Sequence, residues 1–492
     1  MKRFLFFLLA ILLVVLMCAA QNELRLTLDD AIAMARLRSV DAAVALDELR
    51  SAYWEWRTYR ADQLPEVSFT ATLPSYSKQY SPYMDSNGAY SFVKTDVLQA
   101  TGQLSVTQNI RLTGGTIALN SSLNFMRQFE GHTGNRFMSI PLALKLTQPV
   151  FGVNTMKWDS RIEPVRYSEA KAAFISATED VARTTVDYFF TFIMSRENLK
   201  IARQNLENAE KLYAVAQAKR EMGQISNNDL LQMEMNLLDA RSELTDCLST
   251  LKSDMFSLRT FLDIEDDVEI VPEVPSFTPD VDIDYADALD KALANNKFAR
   301  NIMRRRLEAD YEVAKAKGDM RQINLFVQVG YTGADNNAGD AYKRLRANQV
   351  AEVGISLPLL DWGKRRGRVK VAESKRRVTE SQLRRETLDF NRQLFILIER
   401  FDNQQSQLDI ARRTDEIARR RYDTNVETYL IGKISTLDLN DSRASKDAGR
   451  RQYINELYKY WSYWYQIRSL TLYDYAAHTD INADIEKIVN AR

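Results

Sequence analysis

The sequence predicts a membrane protein of mixed α and β structure, in which long coiled-coil helices alternate with β-strands and the whole pattern is given twice. Three observations carry this. Apolar residues recur at alternating spacings of three and four over long stretches, the period of packed helices. Shorter runs alternate apolar and polar residues as half-buried or membrane strands do. Beyond the N-terminus no apolar stretch is long enough for a transmembrane helix, so any membrane crossing falls to strands closed into a barrel.

The N-terminus has Lys2 and Arg3, then 14 apolar residues from Phe4 to Met17, then Cys18-Ala19-Ala20. This pattern reads as a signal peptide over residues 1–20. Cys18 as a lipid-anchored first residue is the alternative, disfavoured by the bulk of Met17 before it. After cleavage at Ala20, Cys247 is the one cysteine left, so stability has to come from packing or assembly. Only 17 Gly and 10 Pro punctuate 492 residues, which favours long uninterrupted helices. Lys plus Arg equals Asp plus Glu at 66 each, a balance that argues against nucleic acid as a partner.

Two registers of self-similarity divide the chain. A shift of 257 positions aligns Leu28, Asp30, Ala31, Ile32 and Ala35 with Tyr285, Asp287, Ala288, Leu289 and Ala292. A shift of 209 aligns Leu146-Thr147-Gln148-Pro149-Val150 with Ile355-Ser356-Leu357-Pro358-Leu359, and Gly223-Gln224-Ile225-Ser226 with Gly432-Lys433-Ile434-Ser435. The difference places 48 extra residues between about positions 71 and 144 of the first half. The expected segments are a first repeat at 21–262, a Pro-marked linker at 263–283, a second repeat at 284–475 and a tail at 476–492.

Each repeat reads helix, strands, long helix, turn, helix. Ala42, Leu46, Leu49, Tyr53 and Trp56 mark the first stripe, and Leu199, Ala202, Leu206, Ala209, Tyr213 and Ala216 a later one. After Gly223, the stripe runs through Leu230, Met233, Leu237, Ala240, Leu244, Cys247 and Leu251, which makes Cys247 a core residue rather than a reactive thiol. The helices at 158–222 and 364–431 would each be roughly 100 Å tall. Those at 28–62, 228–262, 284–318 and 437–475 are near half that length, so two stacked match one long helix.

Strand alternation appears at Val67, Phe69, Ala71 and Leu73, at Ile140, Leu142, Leu144 and Leu146, at Ile323, Leu325, Val327, Val329 and Tyr331, and at Val353, Ile355 and Leu357. Four strands cannot close a membrane barrel, since about eight is the smallest, so several chains must contribute.

Strand to Pro to long helix, a Gly-centred helical turn, and the duplication of both resemble the TolC family of outer-membrane factors over nearly the whole mature chain. The residues that carry the resemblance are Leu357-Pro358-Leu359-Leu360-Asp361-Trp362-Gly363 and the two Gly-x-Ile-Ser turns. It implies a homotrimer with four strands per chain in one twelve-stranded barrel of a Gram-negative outer membrane, continuous with a helical tunnel in the periplasm. It further implies passive export, in efflux or type I secretion, of substrate received from an inner-membrane pump through a periplasmic adaptor. The adaptor would dock on the tips Gly223, Ile225, Ser226, Gly432, Ile434 and Ser435, whose glycines in any case end helices in a left-handed conformation. By position, Asp438 and Asp441 fall where the family has entrance aspartates, and Tyr429 and Asp229 where it links its two helix pairs. Asp438 also suits the start of its helix through the helix dipole. Ile434 stands where the family has an arginine and Asn228 where it has a threonine, so the charged part of the closing network departs from the pattern.

The 48-residue insertion either extends the extracellular rim as a hairpin or raises the count to six strands per chain. A family-sized tunnel favours the rim. No cofactor or metal is expected: His132 and His478 are the only histidines, and Gly363-Lys364 lacks the rest of a phosphate loop. The basic run Lys364, Arg365, Arg366, Arg368, Lys370, Lys375, Arg376 and Arg377 reads as a solvated helix face that also suits the phosphates of outer-membrane lipids. The aromatic stretch from Tyr453 to Tyr475 reads as helix packing. The rival reading is a periplasmic coiled-coil scaffold without a pore, and the strand pairs of both halves weigh against it; nothing points to an enzyme.

Overall fold

The structure is a computed structural model describing residues 23–84, 88–129, 133–265, 268–321, 323–354, 361–430 and 433–490. The signal segment with Cys18, His132, residues 355–360 of the strand-to-helix motif, and Gly432 lie outside the described residues.

The first repeat contains β1 (Glu23–Leu26), α1 (Leu28–Arg38), α2 (Val40–Ala61), β2 (Glu66–Met84), β3 (Tyr90–Ile110), β4 (Gly115–Gln128), β5 (Gly134–Val150), α3 (Thr155–Glu221) and α4 (Asn227–Leu262). After β6 (Glu269–Pro272), the second contains α5 (Tyr285–Asn295), α6 (Lys297–Asp319), β7 (Ile323–Asp335), α7 (Ala338–Ala341), β8 (Arg346–Gly354), α8 (Lys364–Leu430) and α9 (Thr436–Thr471). The chain then ends through β9 (Tyr473–Asp474), β10 (Thr479–Asp480) and α10 (Ile485–Asn490). Matched lengths make the repeat visible, since α3 and α8 each have 67 residues and α4 and α9 each have 36.

Among the described residues two compact units form, one from 23–50, 169–299 and 387–490, the other from 51–168 and 300–386. In the helical unit a single large core gathers Phe189, Phe192 and Ile193 of α3, Leu258 and Leu262 of α4, Leu394 and Phe401 of α8, and Tyr460 and Ile467 of α9. The aromatic run of α9 therefore packs helix on helix. β1 pairs in parallel with β6, Glu23 opposite Glu269.

Two of the four shorter helical spans of the sequence, 28–62 and 284–318, are each broken once, at Ser39 and at Asn296, equivalent under the 257 shift. The break follows from side chains that compete for backbone groups. Ser39 Oγ accepts from Ala42 N at 3.2 Å, and Asn296 Oδ1 accepts from Phe298 N at 2.8 Å while its Nδ2 donates to Leu470 O at 2.8 Å.

The other unit holds one antiparallel sheet of six strands in the order β2-β3-β4-β5-β7-β8. Four strands per chain are expected from the sequence, and the observed six correct that count. The insertion is a hairpin, β3–β4, paired along its length with both neighbours: Glu66 to Thr107 and Met84 to Tyr90 on one side, Thr116 to Thr147 and Gln128 to Gly134 on the other. It sits inside the sheet and not above it because its two strands carry enough residues, 21 and 14, to follow β2 and β5.

Candidate functional site

The sites singled out in the sequence lie at the two turns that close the α3–α4 and α8–α9 hairpins. At the first turn, α3 ends as Gly223 takes φ +74° and Gln224 N donates to Lys219 O at 2.9 Å. A left-handed residue is what lets the chain reverse there, and glycine supplies it without a Cβ penalty. Ser226 then caps α4: its Oγ accepts from Asp229 N at 3.1 Å, and the Asp229 carboxylate accepts from Ser226 N at 3.0 Å and from its hydroxyl at 2.7 Å.

The second turn repeats this chemistry. Ser435 Oγ accepts from Asp438 N at 3.2 Å, and the Asp438 carboxylate accepts from Ser435 N at 3.2 Å and Ser435 Oγ at 2.6 Å. These are reciprocal capping boxes with Asp in the third position. Their serine hydroxyls, and after them their backbone N–H groups, hold both carboxyls below the ordinary range. Ile225 and Ile434 are half-buried, whereas Met222, Leu231, Met235 and Leu238 beside the first tip and Leu437 beside the second are exposed.

Asp441 lies one turn after Asp438 and accepts from Arg421 of α8 at 2.7 Å, an exposed ion pair within the second hairpin. Asp229 is engaged by its own cap. The side chain of Tyr429, and with it the Tyr429–Asp229 link implied by the resemblance, lies outside the described residues.

Among the described residues, the two hairpins touch farther along the helices, at positions that the sequence does not single out. Asn205 Nδ2 of α3 donates to the Asp447 carboxylate of α9 at 2.9 Å, and Asn208 Nδ2 donates to the Tyr422 hydroxyl of α8 at 2.8 Å. Lys446 Nζ lies 3.3 Å from the same Asp447 and 4.4 Å from the centre of the Tyr422 ring, with both charged side chains almost fully buried. Burial pushes the Tyr422 phenol up from its usual range. Arg450 adds a bond to Glu197 of α3 at 3.1 Å and a longer one to Asp415 of α8 at 3.4 Å, and Arg451 donates to Asn198 at 2.8 Å. A signal existed for this seam: Leu439, Ser442, Lys446 and Gly449 follow a three-four spacing in which polar residues interrupt the stripe.

Among the described residues the sheet ends in two unpaired edges, β2 and β8, and Phe69, Leu104, Leu119, Leu144 and Val329 are exposed on its strands. A family model described as outer membrane efflux protein matches residues 31–262 and 288–471. The Campylobacter jejuni CmeC outer membrane channel superposes with a TM-score of 0.66 at 14% identity, over 94% of this chain and 88% of that one. For the Vibrio cholerae outer membrane protein VceC the TM-score is 0.64 at 13% identity, over 92% and 97% of the two chains. The open state of the Neisseria gonorrhoeae MtrE outer membrane channel gives 0.57 at 13% identity, over 93% and 91%. Such low identities establish the fold alone. Among curated protein sequences, none matches this chain.

Proposed function

The chain belongs to the outer membrane efflux protein family, and on that premise we propose that three copies form the exit duct of a tripartite machine, fed by an inner-membrane pump through a periplasmic adaptor. It is an outer-membrane efflux channel with a periplasmic helical tunnel, and not an enzyme. The observation that carries the assembly is the open sheet: among the described residues, β2 and β8 each have one neighbour and one free edge. A free edge inside a bilayer leaves backbone N–H and C=O groups unsatisfied, so the wall has to close on further copies.

In this reading the tips Gly223, Ile225, Ser226, Gly432, Ile434 and Ser435 receive the adaptor, supported by the exposed Met222, Leu231 and Leu437 around them. The exposed Lys364, Arg366 and Arg368, which open α8, meet the phosphates of outer-membrane lipids. Asp438 and Asp441 line the entrance, and three copies of each favour cations in a narrow pore. Tyr429 and Asp229 belong to the same constriction. Ile434 leaves it without the family's arginine, and the Asn205–Asp447 and Asn208–Tyr422 contacts take over the task of holding one hairpin to the other.

Single-channel conductance of the mature protein in a planar bilayer tests this. Small cation-selective openings are expected, blocked by a trivalent cation from the periplasmic side in the wild type and not in Asp438→Ala plus Asp441→Ala. Block that persists in the double variant removes the aspartates from the entrance, and no current from a folded trimer removes the duct.

A further inference from the structure

We propose that the inserted hairpin β3–β4 is part of the membrane wall, so that three chains close an eighteen-stranded barrel with a widened, water-filled exit. The inference rests on the three-chain duct proposed above. It departs from the twelve-stranded barrel that the family resemblance implies.

The depth of the hairpin comes first. Its lower turn, residues 111–114, lies where strands give way to helices: Asn154, just before α3, donates through Nδ2 to Arg111 O at 2.9 Å and Leu112 O at 3.2 Å. Gln148 Nε2 donates to Thr113 O at 2.9 Å, and Asn109 Nδ2 reaches Asp62 O, just after α2, at 3.2 Å. Gly115 permits this approach, because a Cβ there would stand 2.9 Å from Thr147 O. The exposed Leu112 of this turn, Phe151 after β5 and Trp362 before α8 thus share the strand-to-helix boundary, where apolar and aromatic side chains anchor in a membrane interface. A rim hairpin would turn at the opposite end of the sheet.

The faces come second. On one face, Phe69 of β2 is opposite Leu104 of β3, Val106 is opposite Leu119 of β4, Leu119 is opposite Leu144 of β5, and Leu144 is opposite Val329 of β7. Phe69, Leu104, Leu119, Leu144 and Val329 are all exposed, so an apolar band crosses the inserted strands, stepping from Leu104 through Val106 to Leu119 past Ser121, the one polar residue opposite Leu104. On the other face, Thr70 is opposite Gln103, Gln103 opposite Ser122, and Ser105 opposite Asn120, with the Ser105 hydroxyl donating to Asn120 Oδ1 at 2.6 Å. One face suits lipid and the other water, which a hairpin standing in extracellular solvent would not need.

Topology is the third point. Two added strands preserve the up-down alternation, and β8 runs opposite to β2, so edges of successive copies pair antiparallel as an even-stranded barrel requires. Barrel diameter grows roughly linearly with strand number, so eighteen strands give about 1.5 times the diameter of twelve at equal tilt. The exit then admits hydrated cargo of larger cross-section, and size selection falls to the helical end.

Site-directed spin labelling of the full chain in liposomes, on a Cys247→Ser background, tests the wall. Labels at Leu104→Cys and Leu119→Cys are expected to collide with lipid-dissolved oxygen, and labels at Gln103→Cys and Ser122→Cys with a water-soluble nickel chelate. Access of the nickel chelate to all four would put the hairpin outside the bilayer and overturn the proposal. Imaging of single particles should count eighteen strands, and twelve overturns it independently. Native mass separates the two readings: a number of chains other than three, with the same labelling pattern, defeats the trimer and leaves the hairpin in the wall.

Discussion

The α3–α4 and α8–α9 hairpins have the same lengths and the same Ser-x-x-Asp caps, yet their seams are built from opposite materials. Under the 209 shift Met233 corresponds to Ser442, Leu237 to Lys446, Ala240 to Gly449 and Tyr213 to Tyr422. In the first hairpin Leu237 and Ala240 bury against Ala209, with Leu206 and Tyr213 packed beside them. The equivalent place in the second hairpin holds a buried ammonium over a tyrosine ring and beside a carboxylate. Length and caps make a hairpin, and the seam decides how firmly it is held. Apolar burial is favourable without geometric conditions, whereas a buried ion pair repays its desolvation only while both partners stay in place.

The largest effect should come from breaking the polar seam. Asp447→Ala removes the partner of Lys446 and the acceptor of Asn205, and an uncompensated buried charge costs about 3–5 kcal/mol. Copying the first hairpin with Lys446→Leu plus Asp447→Leu should cost less, about 1–3 kcal/mol at most, because both charges leave together and only the buried Asn205 amide loses its acceptor. Denaturant unfolding followed by helical circular dichroism measures both. Equal loss in the two variants would show that shape, not charge pairing, governs the seam.

The caps should tell the opposite story, a smaller effect that is the same in both hairpins. Ser226→Ala and Ser435→Ala each remove one N-cap acceptor, worth about 1 kcal/mol. Amide exchange at Asp229 and Asp438, the donors that lose their acceptor, should quicken to a similar degree. A large effect at only one tip would mean that tip bears load from elsewhere in the assembly.

Much of this was legible beforehand because it depends on periodicity. The three-four stripes set helix ends within a few residues of 155–221 and 364–430, and the paired Gly-x-Ile-Ser turns located both tips. Strand number was not legible in the same way. The outward row of β3 passes through Ala100 and Gly102, too small to mark a lipid face, and only the observed register with Phe125 and Leu123 completes it. The polar seam escaped because Lys446 and Asp447 lie on a helix already crowded with charges, where burial cannot be told from sequence. Tyr429 and Asp229 entered through family position, and the capping box of Asp229 is what the local sequence Ser-x-x-Asp itself specifies.

Acid provides the most delicate way to separate caps from seam. Asp229 and Asp438 have folded pKa values depressed below 3.8 by bonds from Ser226 and Ser435. A depressed folded pKa means that each carboxylate contributes stability in full above its unfolded value and loses it as pH falls through the folded one. Both tips should therefore hold unchanged from neutral pH down to about pH 4, then fray together below it. Exchange of the Leu230 and Leu439 amides, which donate to Ser226 O and Ser435 O at 3.3 and 3.2 Å, reports the first turn of each helix. Fraying that begins near pH 6 would have to come from a different titrating group, and fraying at one tip alone would break the equivalence of the two boxes.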